Sequence, residues 1–124
     1  MRYDYRPFIG MEYVPPYGCL HLVQQVFQHC YGIDLDSLTG ELSERDMSLR
    51  NILDCLTRHT REVDDAREGD VLLIRADPWH VGVVVEPGSM IHSYSGDGYG
   101  TAIIENYTGP RWGLNVRGIY RYVG

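Results

Sequence analysis

Tyr13-Val-Pro-Pro-Tyr-Gly-Cys19-Leu-His-Leu-Val-Gln-Gln-Val-Phe-Gln-His-Cys30 decides how this chain is read. The Pro-Pro pair and Gly18 form a stop signal, and the residues after them carry a helical period. With Cys19 as reference and about 100° per residue, Leu22, Val23, Val26, Phe27 and Cys30 fall in one apolar stripe. Cys19 lies near the middle of that stripe, so the helix turns it toward whatever it packs on. A cysteine in the first turn meets unpaired N–H groups and the positive end of the helix dipole, which favour thiolate over thiol. The competing reading is a small, inert, buried residue.

The chain of 124 residues has the size of one domain with one core, so residues 1–124 are read as a single unit. Its 44% hydrophobic content is that of a globular chain, not a disordered one. A net charge of -6 argues against a nucleic-acid or anionic-membrane partner, since both need a basic patch. Three cysteines without a short C-x-x-C spacing suggest neither a disulfide framework nor a zinc knuckle, and fit a reducing compartment at synthesis. Met1-Arg-Tyr-Asp-Tyr-Arg has no apolar core of a signal peptide, and no run is long enough to span a membrane. The expectation is a protein cytoplasmic at synthesis that another machine delivers to any target outside.

The first helix should end at Tyr31-Gly32, where glycine supplies the stop. A second helix is expected from about Ser43 to His59, opened by Ser43-Glu-Arg-Asp46 and carrying Met47, Ile52, Leu53 and Leu56 on one side; Cys55 belongs to its core and takes no chemistry. After Glu68-Gly69 the period changes. Asp70–Arg75, Trp79–Glu86, Ser89–Tyr94, Thr101–Asn106 and Val116–Tyr122 read as five strands separated by turns. Helices followed by consecutive strands mean an α+β fold, with N-terminal helices packed on an antiparallel sheet of about five strands.

The striped helix must then face that sheet, where two histidines wait. His80, Gly82 and Val84 share one face of their strand; Met90, His92 and Tyr94 share one face of the next. A two-residue Pro87-Gly88 turn would pair Val84 with Ile91 and part the histidines. A three-residue turn, Glu86-Pro87-Gly88, pairs Gly82 with His92 and puts both rings on one face, about 7–8 Å apart at Cα. The odd-length turn is the expectation. It yields Cys19 as nucleophile, His80 as general base and His92 as the group that orients His80, with the N–H groups of Cys19 and its neighbour as an oxyanion hole. No cofactor or metal is called for. Cys19 and Cys30 on one helix are about 16 Å apart at about 1.5 Å per residue, too far to share a zinc ion.

These residues resemble the NlpC family of papain-like cysteine peptidases, which cut peptidoglycan stem peptides, and most closely its short phage-type and tail-tip members. Ile9-Gly-Met-Glu-Tyr13-Val resembles the family's Gly-x-Pro-Tyr entry, and Gly18-Cys19-Leu-His-Leu-Val its Asp-Cys-x-Gly-Leu-Val nucleophile motif. Arg67-Glu-Gly69-Asp70-Val-Leu-Leu is similar to the Pro-Gly-Asp strand opening, and His80-Val-Gly-Val-Val-Val to the His-Val-Gly-Ile base motif. Met90-Ile-His92-Ser matches the strand of the third catalytic residue; Ile103-Ile-Glu-Asn, Trp112 and Arg117-Gly-Ile-Tyr-Arg resemble the phage-type ending. Gly18 stands where the family has Asp, His21 where it has Gly, and Glu12 where it has Pro.

The resemblance implies a papain-like fold and cleavage of an amide beside D-glutamate or a diamino acid. It implies Tyr13 in the substrate site, and Gly18, Leu20 and Trp79, which flank the nucleophile and the base, are assigned there with it. It implies peptidoglycan stem peptide as substrate, and delivery by a phage tail, a secretion apparatus or lysis. The loops Gly96–Gly100 and Thr108–Asn115 are expected to rim the cleft. Two other readings stand beside it: a structural or tail-assembly protein that keeps the fold, and a papain-like amidase, deamidase or acyltransferase with another substrate.

Overall fold

A computed structural model describes residues 1–13, 18–35, 53, 57–76, 79–94 and 100–124. Helix α1, Gly18–Val26, continues into a π-helical turn, Phe27–Tyr31. It ends where the stop signal places it. Gly32 takes the left-handed conformation (φ 70°), and its N–H donates to the Phe27 carbonyl. Among the described residues six strands follow: β1 Thr60–Glu62, β2 Val71–Ile74, β3 His80–Glu86, β4 Ser89–Ser93, β5 Ala102–Asn106 and β6 Val116–Tyr122. They form one antiparallel sheet in the order β1-β6-β2-β3-β4-β5. The fold is α+β, with a helix on a sheet.

The sheet has one strand more than the five expected. β1 pairs Thr60 with Tyr122 and Glu62 with Tyr120 at the sheet edge. Its Thr-Arg-Glu sequence buries no face, so only backbone pairing makes it a strand, and hydrophobic alternation carries no sign of it. The expected second helix falls largely outside the described residues, Cys55 included. Residues 57–59 are helical, and the Thr57 hydroxyl donates to the Leu53 carbonyl at 2.8 Å.

Period-two alternation divides the apolar residues between two cores. Val71, Leu73, Val81, Val83, Val85 and Ile91 pack against Leu22, Val23, Val26 and Phe27 of α1. Leu72, Ile74, Val84 and Met90 point the other way, onto Tyr107 and Trp112. Every residue of β2 is therefore buried. Each fully buried side chain of this size contributes about 1.5–3 kcal/mol relative to exposure. The N-terminal arm closes the β5 side: Gly10 N–H donates to Ala102, Ala102 N–H to Met11, and Tyr13 N–H to Gly100. Among the described residues no helix is long and apolar enough to cross a membrane.

The β3–β4 connection departs from the expected turn. Glu86 pairs with Ser89, so the loop is the two-residue Pro87-Gly88. Yet Val83 pairs with Ile91 and Val84 with Met90, the frame in which Gly82 lies opposite His92. The register shift between Val84 and Glu86 is a bulge at Val85, and it supplies the odd residue in place of the turn. The physical reason lies in the turn itself. Proline first and a glycine at φ 96° second give a type II turn, whose twist mismatches that of a hairpin. A bulge beside it adds the missing twist.

Gly88 meets no atom within 4 Å of an added Cβ, so its requirement is purely conformational. Gly88→Ala should cost about 1–2 kcal/mol of stability, read as a lower urea midpoint at unchanged slope. An unchanged midpoint would show that the turn is not held at positive φ.

Candidate active site

Cys19 sits in the first turn of α1 and is buried. The backbone N–H groups of Val81, Leu20 and Cys19 itself face its sulfur and favour the thiolate. Burial outweighs them and pushes the thiol up to about 11. The sulfur thus meets β3 one residue beyond His80. Gly18, just before it, lets the Tyr13 ring lie against the helix start. A Cβ there would come within 2.5 Å of the ring's Cδ2 and 2.6 Å of its Cγ. The ring lies where a side chain at position 18 would have to go.

His80 and His92 lie on the sheet face away from α1, because each shares parity with the residues that pack on Trp112. Their rings meet directly: His80 Nε2 lies 2.8 Å from His92 Nδ1. Gly82 permits this approach. A Cβ there would lie 3.0 Å from Met90 Sδ and 3.3 Å from His92 Cβ. The Nδ1 of His80 is left for another partner. Burial, and then the neighbouring His92, hold His80 well below the ordinary histidine value. Burial also lowers His92, against the pull of Glu105. Among the described residues Cys19 is hydrogen-bonded to neither ring. The histidines are brought together, and the thiol meets the backbone N–H of Val81 on the strand that carries His80. Burial is what holds the thiol up and the imidazole down, and residue types alone carry no measure of it.

Of the other assigned residues, Leu20 has its side chain in the helix-side core, which leaves its backbone N–H as the group near the thiol. Trp79 is partly buried and packs on that same core, just before His80. The expected cleft loops differ in outcome. Residues 95–99 lie outside the described set. The segment from Thr108 to Asn115 delivers Trp112, which stacks on His80 at a centroid distance of 5.8 Å and meets His92 edge-on at 5.2 Å.

Sequence reasoning missed Glu105. Its Oε1 lies 2.8 Å from His92 Nε2 and accepts from Trp112 Nε1–H at 2.8 Å, while its Oε2 meets Arg111 at 3.1 Å. A signal was present: alternation along Ala102–Asn106 puts Glu105 on the same inward face as Ile103, which pairs with His92. A carboxylate at an inward strand position needs a partner. Tyr94, 4.9 Å from His80 between ring centroids, completes the aromatic wall with Trp112.

The site holds one imidazole against another, and a thiol at a helix start meets the same strand one residue on; these are residue types that nucleophilic acyl transfer uses. A sequence model described as the NlpC/P60 family matches residues 9–121. No curated protein matches the chain.

The lowered affinity of His80 for protons has a measurable sign. Its folded-state value lies below the ordinary 6.5, so its contribution to stability is present above that pH and is lost as pH falls toward the folded-state value. The thermal midpoint should drop on acidification from about pH 7.5 to 5, and drop less in His80→Gln. Parallel curves for the two proteins would show that His80 titrates alike folded and unfolded.

Proposed function

The chain belongs to the NlpC/P60 family, whose general activity is that of cell-wall peptidases and amidases, and from that premise we propose that it is a cysteine hydrolase of peptidoglycan stem peptides. The observation that carries the reading is the contact between His80 Nε2 and His92 Nδ1, which leaves His80 Nδ1 for the thiol beside Val81.

In this reading Cys19 Sγ attacks the amide carbonyl carbon as its proton passes to His80 Nδ1. The N–H groups at the helix start receive the oxyanion. The C–N bond then breaks, the amine leaves with the proton from His80, and water hydrolyses the thioester by the reverse route. The raised thiol and the lowered imidazole favour proton transfer together with attack. The Tyr13 ring on Gly18, with Trp79 beside the base, would border the substrate. Tyr13 also accounts for the missing Asp of the family motif, since its ring occupies that space. The phage-type ending, Ile103–Asn106 with Trp112 and Arg117–Arg121, supports delivery to the wall by a phage particle or a secretion system.

One observation favours a second reading, a structural protein that keeps the fold: Cys19 and His80 are both deeply buried and both neutral. Digestion of isolated muropeptides separates the two. The hydrolase yields shortened stem peptides, and Cys19→Ala loses at least about a thousandfold in kcat/KM. A base with lowered proton affinity stays unprotonated further into acid, so the acid limb of kcat/KM should lie below 6.5. No product at any pH, with Cys19 alkylated no faster than the other cysteines, supports the structural reading.

A further inference from the structure

His80 has one ring nitrogen facing a defined neighbour and His92 has both, and the chain of neighbours ends on a carboxylate. A carboxylate accepts hydrogen bonds and donates none, and the side chain of Glu105 closes the chain. Its Oε1 lies 2.8 Å from His92 Nε2, so that nitrogen must carry the hydrogen. A neutral His92 is then bare at Nδ1. That nitrogen lies 2.8 Å from His80 Nε2, so His80 Nε2 must carry its own hydrogen. A neutral His80 is then bare at Nδ1, the one nitrogen with which it can act as a base.

We propose that Glu105 is a positioning residue that sets the proton order of the His80–His92 pair from two rings away, so that His80 presents an unprotonated Nδ1 to the thiol. The inference rests on the hydrolase reading for its catalytic consequence, but its structural content does not.

The surroundings of the carboxylate support this role. Trp112 Nε1–H donates to the same Oε1 and Arg111 lies against Oε2, so the other neighbours are also donors. The Trp112 indole packs on both rings, and His92 is 1% exposed. The titratable and charged groups facing His92 are His80, Glu105 and Arg111. Without the carboxylate, His92 could carry its hydrogen on Nδ1. His80 Nε2 would then have to accept, His80 Nδ1 would be protonated, and the base would be lost. When His80 takes the thiol proton, the carboxylate also stabilises the imidazolium through His92, as a third group does in a triad.

The test compares wild type with Glu105→Gln and Glu105→Met, all full-length. Histidine tautomers are read by nitrogen-15 NMR at neutral pH, and kcat and KM on muropeptides. In wild type both rings should carry the hydrogen on Nε2. Glu105→Gln keeps an acceptor oxygen without the charge: the tautomers should persist, with kcat reduced about tenfold to a hundredfold and KM little changed. Glu105→Met removes the acceptor: hydrogen should appear on His92 Nδ1, and kcat should fall by about 10²–10⁴. His80 Nδ1–H in the wild type overturns the proposal, and this arm decides even if a variant fails to fold. Retention of both wild-type tautomers in Glu105→Met overturns it equally. Tautomers that are as described in wild type and shift in Glu105→Met, in a protein that cleaves no muropeptide, support the proton order and count against the hydrolase reading alone.

Discussion

The candidate site depends on the pairing frame between β3 and β4. His80 and His92 meet only if Gly82 lies opposite His92, and a frame displaced by one residue turns one ring to the other face of the sheet. The Pro87-Gly88 turn taken alone sets the displaced frame. The bulge at Val85 reverses it within three residues of the turn, and everything N-terminal of it in β3 takes its face from that correction. Gly82 adds a second condition, because the rings approach across a strand where a methyl group would press on Met90 Sδ and His92 Cβ.

The same frame explains why the site is layered. Odd residues of β3 build the helix-side core, and even residues carry the imidazole to the opposite side. The thiol approaches from above the sheet, and the histidine pair is braced from below by Trp112, Tyr94 and Glu105. Burial is the cost of this bracing. It raises Cys19 and lowers His80, so the resting groups are neutral although the helix start and the Val81 N–H favour the thiolate.

Much of the fold was legible because it rests on local period. The stripe Leu22-Val23-Val26-Phe27 marks a helix, Gly32 ends it, and the runs at β2 to β6 alternate or are wholly apolar. β1 was not legible, since an edge strand of Thr-Arg-Glu is made by backbone bonds to β6 and by no apolar face. In the site, Cys19, His80 and His92 stood out by residue type and spacing. Glu105 and Trp112 did not, because their meaning is a partner on another strand or at the end of a loop.

By itself, the sequence determined a helix with a cysteine in its first turn, strands with a histidine on each of two neighbours, and an α+β order. These follow from interactions between residues a few positions apart, where 3.6- and 2-residue periods are written directly. Only the tertiary structure decided the frame that joins the histidines, the carboxylate that closes their chain, the tyrosine ring lying on Gly18, and the neutral state of thiol and imidazole. Register, burial and cross-strand partners are set by the sum of contacts over the whole sheet, and a bulge of one residue is enough to reverse what spacing implies.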